Sequence, residues 1–103
     1  MVKFLENLQD FKAATAGLVL IDFTATWCPP CRFIGPKFEA LAKAHAGGKL
    51  SFFKVDVDKN AAATKLAAIS AMPTFQVWKN GKKIEEFRGA DEQKLKALVQ
   101  KYA

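Results

Sequence analysis

The residues best suited to chemistry are two cysteines three positions apart, in the segment Trp27-Cys28-Pro29-Pro30-Cys31. Cysteines at this spacing can close a small disulfide ring where they meet at the start of a helix. The attacking species in thiol–disulfide exchange is the thiolate. Free N–H groups and the positive end of the helix dipole stabilise an anion at the first helical turn. We therefore expect Cys28 to be the nucleophile and Cys31, almost one turn further on, to be the less accessible resolving thiol.

Other interpretations of the cysteine pair are weaker. A zinc site needs about four Cys, His or carboxylate ligands, and the chain has no other cysteine and a single histidine, His45. We therefore expect no metal. A structural disulfide remains an alternative, although so short a ring removes little entropy from the unfolded chain. Buried, inert thiols are commoner for isolated cysteines than for this spacing, so the pattern favours a redox pair.

The neighbouring sequence indicates which elements would position the pair. The segment Leu18–Thr24 is short and apolar on both faces, which predicts a central strand just before the cysteines. From Ile34 to His45 apolar residues recur at helical spacing, so the cysteines should open a helix that ends at Gly47-Gly48. Pro36 should kink this helix rather than abolish it.

The rest of the chain predicts further strands and helices around this unit. In order, the patterns indicate a capped helix from Asn7 to Gly17, a strand at Phe52–Val57, a helix at Ala61–Ala68, a hairpin of Thr74–Lys79 and Lys82–Arg88 around Asn80-Gly81, and a C-terminal helix with the stripe Leu95, Leu98, Val99 and Tyr102. This order implies an α/β fold with a mixed sheet and helices on both faces. At 103 residues, we expect one domain spanning 1–103.

Composition limits the classes of partner. The net charge of +6 favours acidic partners, but the lysines are scattered and no nucleic-acid recognition motif accompanies them, so we expect no nucleic-acid binding. The first residues lack the continuous apolar run of a signal peptide. The longest apolar run, Leu18–Ile21, is too short to span a bilayer. We expect a cytoplasmic protein that does not bind membranes.

One acidic residue, Asp22, interrupts the predicted buried strand. A buried carboxyl without a close cation has its pKa raised by desolvation, enough to hold a proton near neutral pH. The alternative is a strand-end carboxylate turned to solvent.

These residues, with several other segments, resemble the thioredoxin family over essentially the whole chain. The matching segments are Asp22–Cys31, Pro36, Lys54–Asp58, Ala71–Phe75 and Gly89-Ala90. Within them, Asp22–Ala25 and Ala71–Thr74 resemble eukaryotic cytosolic members, the h-type of plants in particular. The resemblance implies a thioredoxin fold, in which a central five-stranded mixed sheet is flanked by four α-helices.

The resemblance also implies an activity and its partners. The expected function is protein-disulfide reductase in cell redox homeostasis, with no bound cofactor. The Cys28–Cys31 pair would be recharged from NADPH by thioredoxin reductase. Expected clients are peroxiredoxins, methionine sulfoxide reductases and ribonucleotide reductase, and we expect a monomer.

Roles for several supporting residues follow from the same resemblance. Asp22 matches a group proposed to carry a proton to or from the resolving cysteine, directly or through water, with Lys54 on the neighbouring strand close enough to tune it. Most X-Pro bonds are trans, but the proline that matches Pro73 is cis and faces the cysteines. The backbone of Met72 would there pair with a client strand.

A flat apolar surface would surround Cys28 and bind clients. This client patch consists of Trp27, Pro30, Met72, Gly89 and Ala90. The small residues of the patch would let a client backbone approach closely. A core position is the alternative for Trp27.

The chain departs from the family pattern beside the cysteines. Pro29 stands where the commonest members carry Gly. It restricts the reduced loop, but it also removes an N–H that could stabilise the thiolate. These two effects act in opposite directions, so the sign of the net change in reduction potential is open. Arg32 and Arg88 would favour the thiolate of Cys28 and attract acidic clients. An alternative enzyme function is that of a disulfide oxidase or isomerase. The dipeptide Pro29-Pro30 argues against it, because such enzymes often carry His between the two cysteines. A redox-independent docking module remains the alternative outside enzymes.

Overall fold

The structure, a computed structural model, describes residues 1–103 and contains five strands and four helices. In chain order the elements are β1 (Lys3–Phe4), α1 (Leu8–Thr15), β2 (Val19–Thr24), α2 (Pro29–Ala44), β3 (Ser51–Asp56), α3 (Ala61–Leu66), β4 (Thr74–Lys79), β5 (Lys82–Arg88) and α4 (Glu92–Tyr102). The five-stranded mixed sheet flanked by four helices is confirmed. None of the helices combines the length and apolar character needed to cross a lipid bilayer.

Strand β2 occupies the centre of the sheet, as its apolar run predicts. The strand order is β1-β3-β2-β4-β5, in which β3 is parallel to both β1 and β2 while β4 is antiparallel to β2 and β5. Strand β1 comprises only two residues and shows no periodicity of its own. It exists because its backbone pairs with β3, which is why no sequence pattern predicts it.

Each face of β2 packs against its own hydrophobic cluster. Its odd-numbered residues pack with Phe11 of α1 and Ala63 of α3. On the other face, Leu20 packs with Phe38 of α2. Because side chains alternate along a strand, Asp22 lies on the same face as Leu20, beneath α2.

The predicted hairpin is confirmed with the same strand boundaries. Asn80 and Gly81 have φ angles of 55° and 78°, the left-handed conformation that a type I′ turn requires at both central positions. The N–H of Gly81 also donates to the carbonyl of Thr15 at 2.8 Å. This bond attaches the turn to the end of α1.

Helix α3 is shorter than the predicted Ala61–Ala68. It ends at Leu66, because Ala68 has a φ of 57° that a right-handed helix cannot contain. The fully buried side chain of Gln76 in β4 connects the chain after α3 to the sheet. Its Nε2 donates to the carbonyl of Ala67 at 3.0 Å and to the carboxylate of Glu86 at 2.8 Å. Its Oε1 accepts the indole N–H of Trp78 at 2.8 Å. No sequence pattern indicated this network.

Candidate active site

Cys28 is the N-cap of α2, at the junction between the central strand and the helix. Its backbone is extended (φ −99°, ψ 106°), and its Sγ accepts the N–H of Cys31 at 3.3 Å. The next two residues, Pro29 and Pro30, have no N–H to offer. The Cys31 amide is therefore the first donor of the helix that reaches the sulfur, and it would stabilise a thiolate there.

Cys28 and Cys31 are bonded to each other, and their Cα atoms lie 5.3 Å apart. This is the disulfide ring that the spacing makes possible. The helix continues through Pro36, as expected, but it ends at Ala44, before the predicted break at Gly47-Gly48.

The expected difference in accessibility between the two cysteines is not found. Cys28 is 3% exposed and Cys31 is 2% exposed. In the disulfide-bonded ring both side chains fold onto Ala25, and Met72 and Val57 pack against them. The prediction that Cys28 is the more accessible thiol is wrong for this disulfide-bonded state, because the same neighbouring residues cover both cysteines.

The residues of the predicted client patch differ in how they are connected to this ring. Met72 packs against the cysteines, and the Met72–Pro73 bond is cis, as the resemblance implied. The carbonyl of the buried Pro73 accepts the N–H of Gly89 at 2.9 Å. Gly89 has a φ of 97°, a conformation that glycine adopts readily. Ala90 packs against the α2–α4 core and is half-buried.

Trp27 belongs to the surface and not to the core. Its side chain is 61% exposed, while Pro30 nearby is also exposed. The indole N–H donates to Oδ2 of Asp58 at 2.7 Å, which holds the ring in one orientation. The alternative of a core tryptophan is wrong. Sequence reasoning missed the role of Asp58, although this residue closes one of the segments that resemble the family.

Asp22 is buried without a partner. It is 1% exposed, and neither carboxylate oxygen makes a hydrogen bond. Burial raises its pKa from 3.8 to about 7, against the attraction of Lys54, while Glu39 adds to the increase. The alternative of a solvent-facing carboxylate is wrong, and the predicted increase is confirmed.

Lys54 lies opposite Asp22 in the β2–β3 register, close enough to act on its charge as predicted. Its ammonium, however, pairs with Glu39 at 3.0 Å. Glu39 also accepts the N–H of Val2 at 2.9 Å. Partial burial acts to raise the pKa of Glu39, but the bonds from Val2 and Lys54 outweigh it and lower that pKa. Sequence reasoning missed Glu39, because nothing distinguishes it from other polar residues of α2.

A pocket of about 660 Å³ lies beside Cys31. Its charged lining residues are Glu39, Lys54, Arg32 and Asp56. The Arg32 guanidinium donates to the carbonyl of Thr26 at 3.0 Å. Arg32 therefore lies beside Cys31, as predicted, but the carboxylates of Glu39 and Asp56 line the same pocket, and Arg88 lies on β5 with its guanidinium 4.0 Å from Glu86.

Comparison with known proteins gives one family. The family model described as Thioredoxin matches residues 2–101. The thioredoxin of Ictalurus punctatus is 52% identical over 103 residues and covers 96% of each chain, and a Thioredoxin H-type of Chlamydomonas reinhardtii is 54% identical over 85 residues, 82% of this chain and 74% of that protein. A crystal structure of Malassezia sympodialis thioredoxin is 44% identical, with a TM-score of 0.95 over 99% of this chain and 90% of that one.

Proposed function

This chain belongs to the thioredoxin family and is a protein-disulfide oxidoreductase, and we propose that Cys28 is its nucleophile, Cys31 its resolving thiol and Asp22 its proton carrier. The first step is the attack of the Cys28 thiolate on a client disulfide. A bond forms between Cys28 and one client sulfur, and the other client sulfur leaves with the electron pair and takes a proton from solvent. The hydrogen bond from the Cys31 amide to Cys28 Sγ supports this assignment, since it favours the anion before the attack.

The second step releases the client. The Cys31 thiol loses its proton to the Asp22 carboxylate, and the resulting thiolate attacks Sγ of Cys28. The disulfide between the two cysteines forms, and the second client sulfur departs with an electron pair and is protonated. Two electrons have then passed from the protein to the client. A carboxyl with a pKa of about 7 suits this role, because it can both accept and release a proton near neutral pH.

The observation that carries the assignment is a sulfur at a helix start, within a four-residue disulfide ring, shortly after a strand that holds a buried carboxyl without a partner. The direct experiment is insulin reduction with NADPH and thioredoxin reductase. Cys28→Ser should abolish turnover. Cys31→Ser should instead accumulate clients bound to Cys28 by a disulfide that added dithiol releases. Turnover that persists in Cys28→Ser would refute the assignment of the nucleophile.

The client patch completes the proposal. Exposed Trp27 and half-buried Met72, Gly89 and Ala90 offer an apolar surface with little side-chain bulk beside the cysteines. Pro73 has no N–H, and the Pro73 carbonyl already accepts the N–H of Gly89. The backbone of Met72 is therefore the part of this segment that can pair with a client strand. Pro29 and Pro30 restrict the loop between the sulfurs.

We also propose the specific partners that the family resemblance implies. These are thioredoxin reductase as the electron donor, and peroxiredoxins, methionine sulfoxide reductases and ribonucleotide reductase as clients of a monomer. A cytoplasmic location is part of this proposal, since a reducing pair needs a compartment that keeps thiols reduced. Identifying the proteins trapped by Cys31→Ser in a cell extract tests the client classes.

A further inference from the structure

The buried carboxyl of Asp22 has a cation beside it but no bond to that cation. Asp22 and Lys54 are register neighbours on adjacent parallel strands and share the face covered by α2. Both Asp22 oxygens are nevertheless unpartnered, while the Lys54 ammonium lies 3.0 Å from Oε2 of Glu39. A lysine side chain is long and flexible enough to pair with either of two nearby carboxylates. The interactions that keep the Lys54 ammonium paired with Glu39 therefore affect the electrostatic environment of Asp22.

Two groups besides Asp22 act on the Lys54 ammonium. Glu39 makes the ion pair, and the ring of Phe4 in β1 lies 5.4 Å from Nζ. Glu39 is itself oriented by the N–H of Val2, which donates to its other carboxylate oxygen at 2.9 Å. The beginning of the chain and the middle of α2 thus fix the position of the ammonium together.

These groups lie around the pocket that opens beside the resolving cysteine. Phe4, Glu39, Lys54 and Cys31 all line it. Its other charged groups are Arg32 of α2 and Asp56 of β3, and on the opposite side of Asp22 strand β4 presents only the phenyl ring of Phe75 in register. The Lys54–Glu39 pair therefore lines the same pocket as the resolving thiol, and its two charges are the ones that act on the Asp22 carboxyl.

Building on the proposed role of Asp22, we propose that Glu39 is a positioning residue for the resolving step, because it keeps the Lys54 ammonium from pairing with the Asp22 carboxyl. If Lys54 bonded directly to Asp22, the carboxylate would be stabilised and would become a weaker base for the Cys31 proton. Held by Glu39, the ammonium stays near enough to moderate the charge of Asp22 but does not neutralise it. Glu39 acts through Lys54 and does not touch the reacting sulfurs.

The test is to follow the titration of Asp22 by the ¹³C chemical shift of its side-chain carboxyl in the disulfide-bonded protein. Glu39→Gln should lower the midpoint, by about 0.5–1 pH unit, because it removes a negative charge and frees Lys54. Lys54→Gln should raise it. The double variant should return near the parent value, since both charges of the pair leave together. Glu92→Gln is the matched control, a glutamate that also bonds lysines from a helix but lies outside the pocket.

A second readout connects the titration to the resolving step. The pH midpoint for release of a client from Cys28 should move in Glu39→Gln in the same direction as the titration of Asp22. The proposal would be overturned if Glu39→Gln left the Asp22 midpoint unchanged, as the control Glu92→Gln should. It would also be overturned if Glu39→Gln and Lys54→Gln shifted the midpoint in the same direction. The titration needs no client and no free thiol. Its failure is therefore distinguishable from a failure of the proposed reductase mechanism, which the cysteine variants test.

Discussion

Replacing Asp22 with asparagine should stabilise the protein, and the gain should depend on pH. The carboxyl has a pKa of 3.8 when unperturbed and about 7 in the fold, because burial disfavours its charged form. In the unfolded chain the group ionises above 3.8, whereas the fold still holds it protonated. Folding is therefore penalised increasingly as the pH rises from 3.8 to about 7, and the full penalty applies above that interval.

The size of the penalty follows from the two pKa values. Each unit of difference corresponds to about 1.4 kcal/mol, so the difference amounts to about 4 kcal/mol. This penalty is a large part of the unfolding free energy of a typical domain, which is about 5–15 kcal/mol. Asparagine has nearly the same shape and cannot ionise. Asp22→Asn should therefore approach this gain at pH 8 and lose most of it at pH 4, where the folded carboxyl is neutral and the unfolded one is close to its titration midpoint.

Guanidinium unfolding of the disulfide-bonded protein at intervals from pH 4 to pH 8 measures the difference between variant and parent. Contributions of titrating groups that do not interact with Asp22 cancel in that difference. Glu92→Gln provides a control of opposite sign. The bond from Lys37 lowers the pKa of Glu92, so its loss should destabilise the protein fully above the pKa that the glutamate has when unfolded, and progressively less as the pH falls toward the lower folded pKa. A difference for Asp22→Asn that stays constant from pH 4 to pH 8 would refute the interpretation of Asp22 as a buried, raised-pKa carboxyl.

Three further outcomes are expected. Asp58→Ala should release the Trp27 ring and raise KM for protein clients several-fold with little change in kcat, as steady-state insulin reduction would measure; an unchanged KM would contradict a role for the fixed ring. Replacing Arg32 and Arg88 with glutamine should slow reduction of acidic clients in low salt, and high salt should remove the difference from the parent. Gln76→Leu should cost about 1–3 kcal/mol of unfolding free energy, because it leaves a buried indole N–H unbonded, and a denaturant titration showing no loss would contradict this.

The success of sequence reasoning varied among the strands for one physical reason. Strand β2 has an apolar run buried on both faces, and the β4–β5 hairpin has Asn80-Gly81 at its turn, so both carry their signal within a few neighbouring residues. Strand β1 carries none, because its two residues are strand only through hydrogen bonds to β3. The end of α3 was misplaced, since propensity alone does not show that Ala68 leaves the helical conformation.

In the candidate site, too, the features that depend on neighbouring residues were predictable and those that depend on distant residues were not. Spacing alone brings Cys28 and Cys31 together at a helix start, because the segment that closes this ring is only four residues long. The burial of Asp22 followed from the apolar residues on either side of it. The tertiary structure alone decided which polar groups meet the site: Lys54 bonds Glu39 across 15 positions, and Trp27 bonds Asp58 across 31. Such contacts depend on how helices and strands pack over distances that no local pattern of residues records.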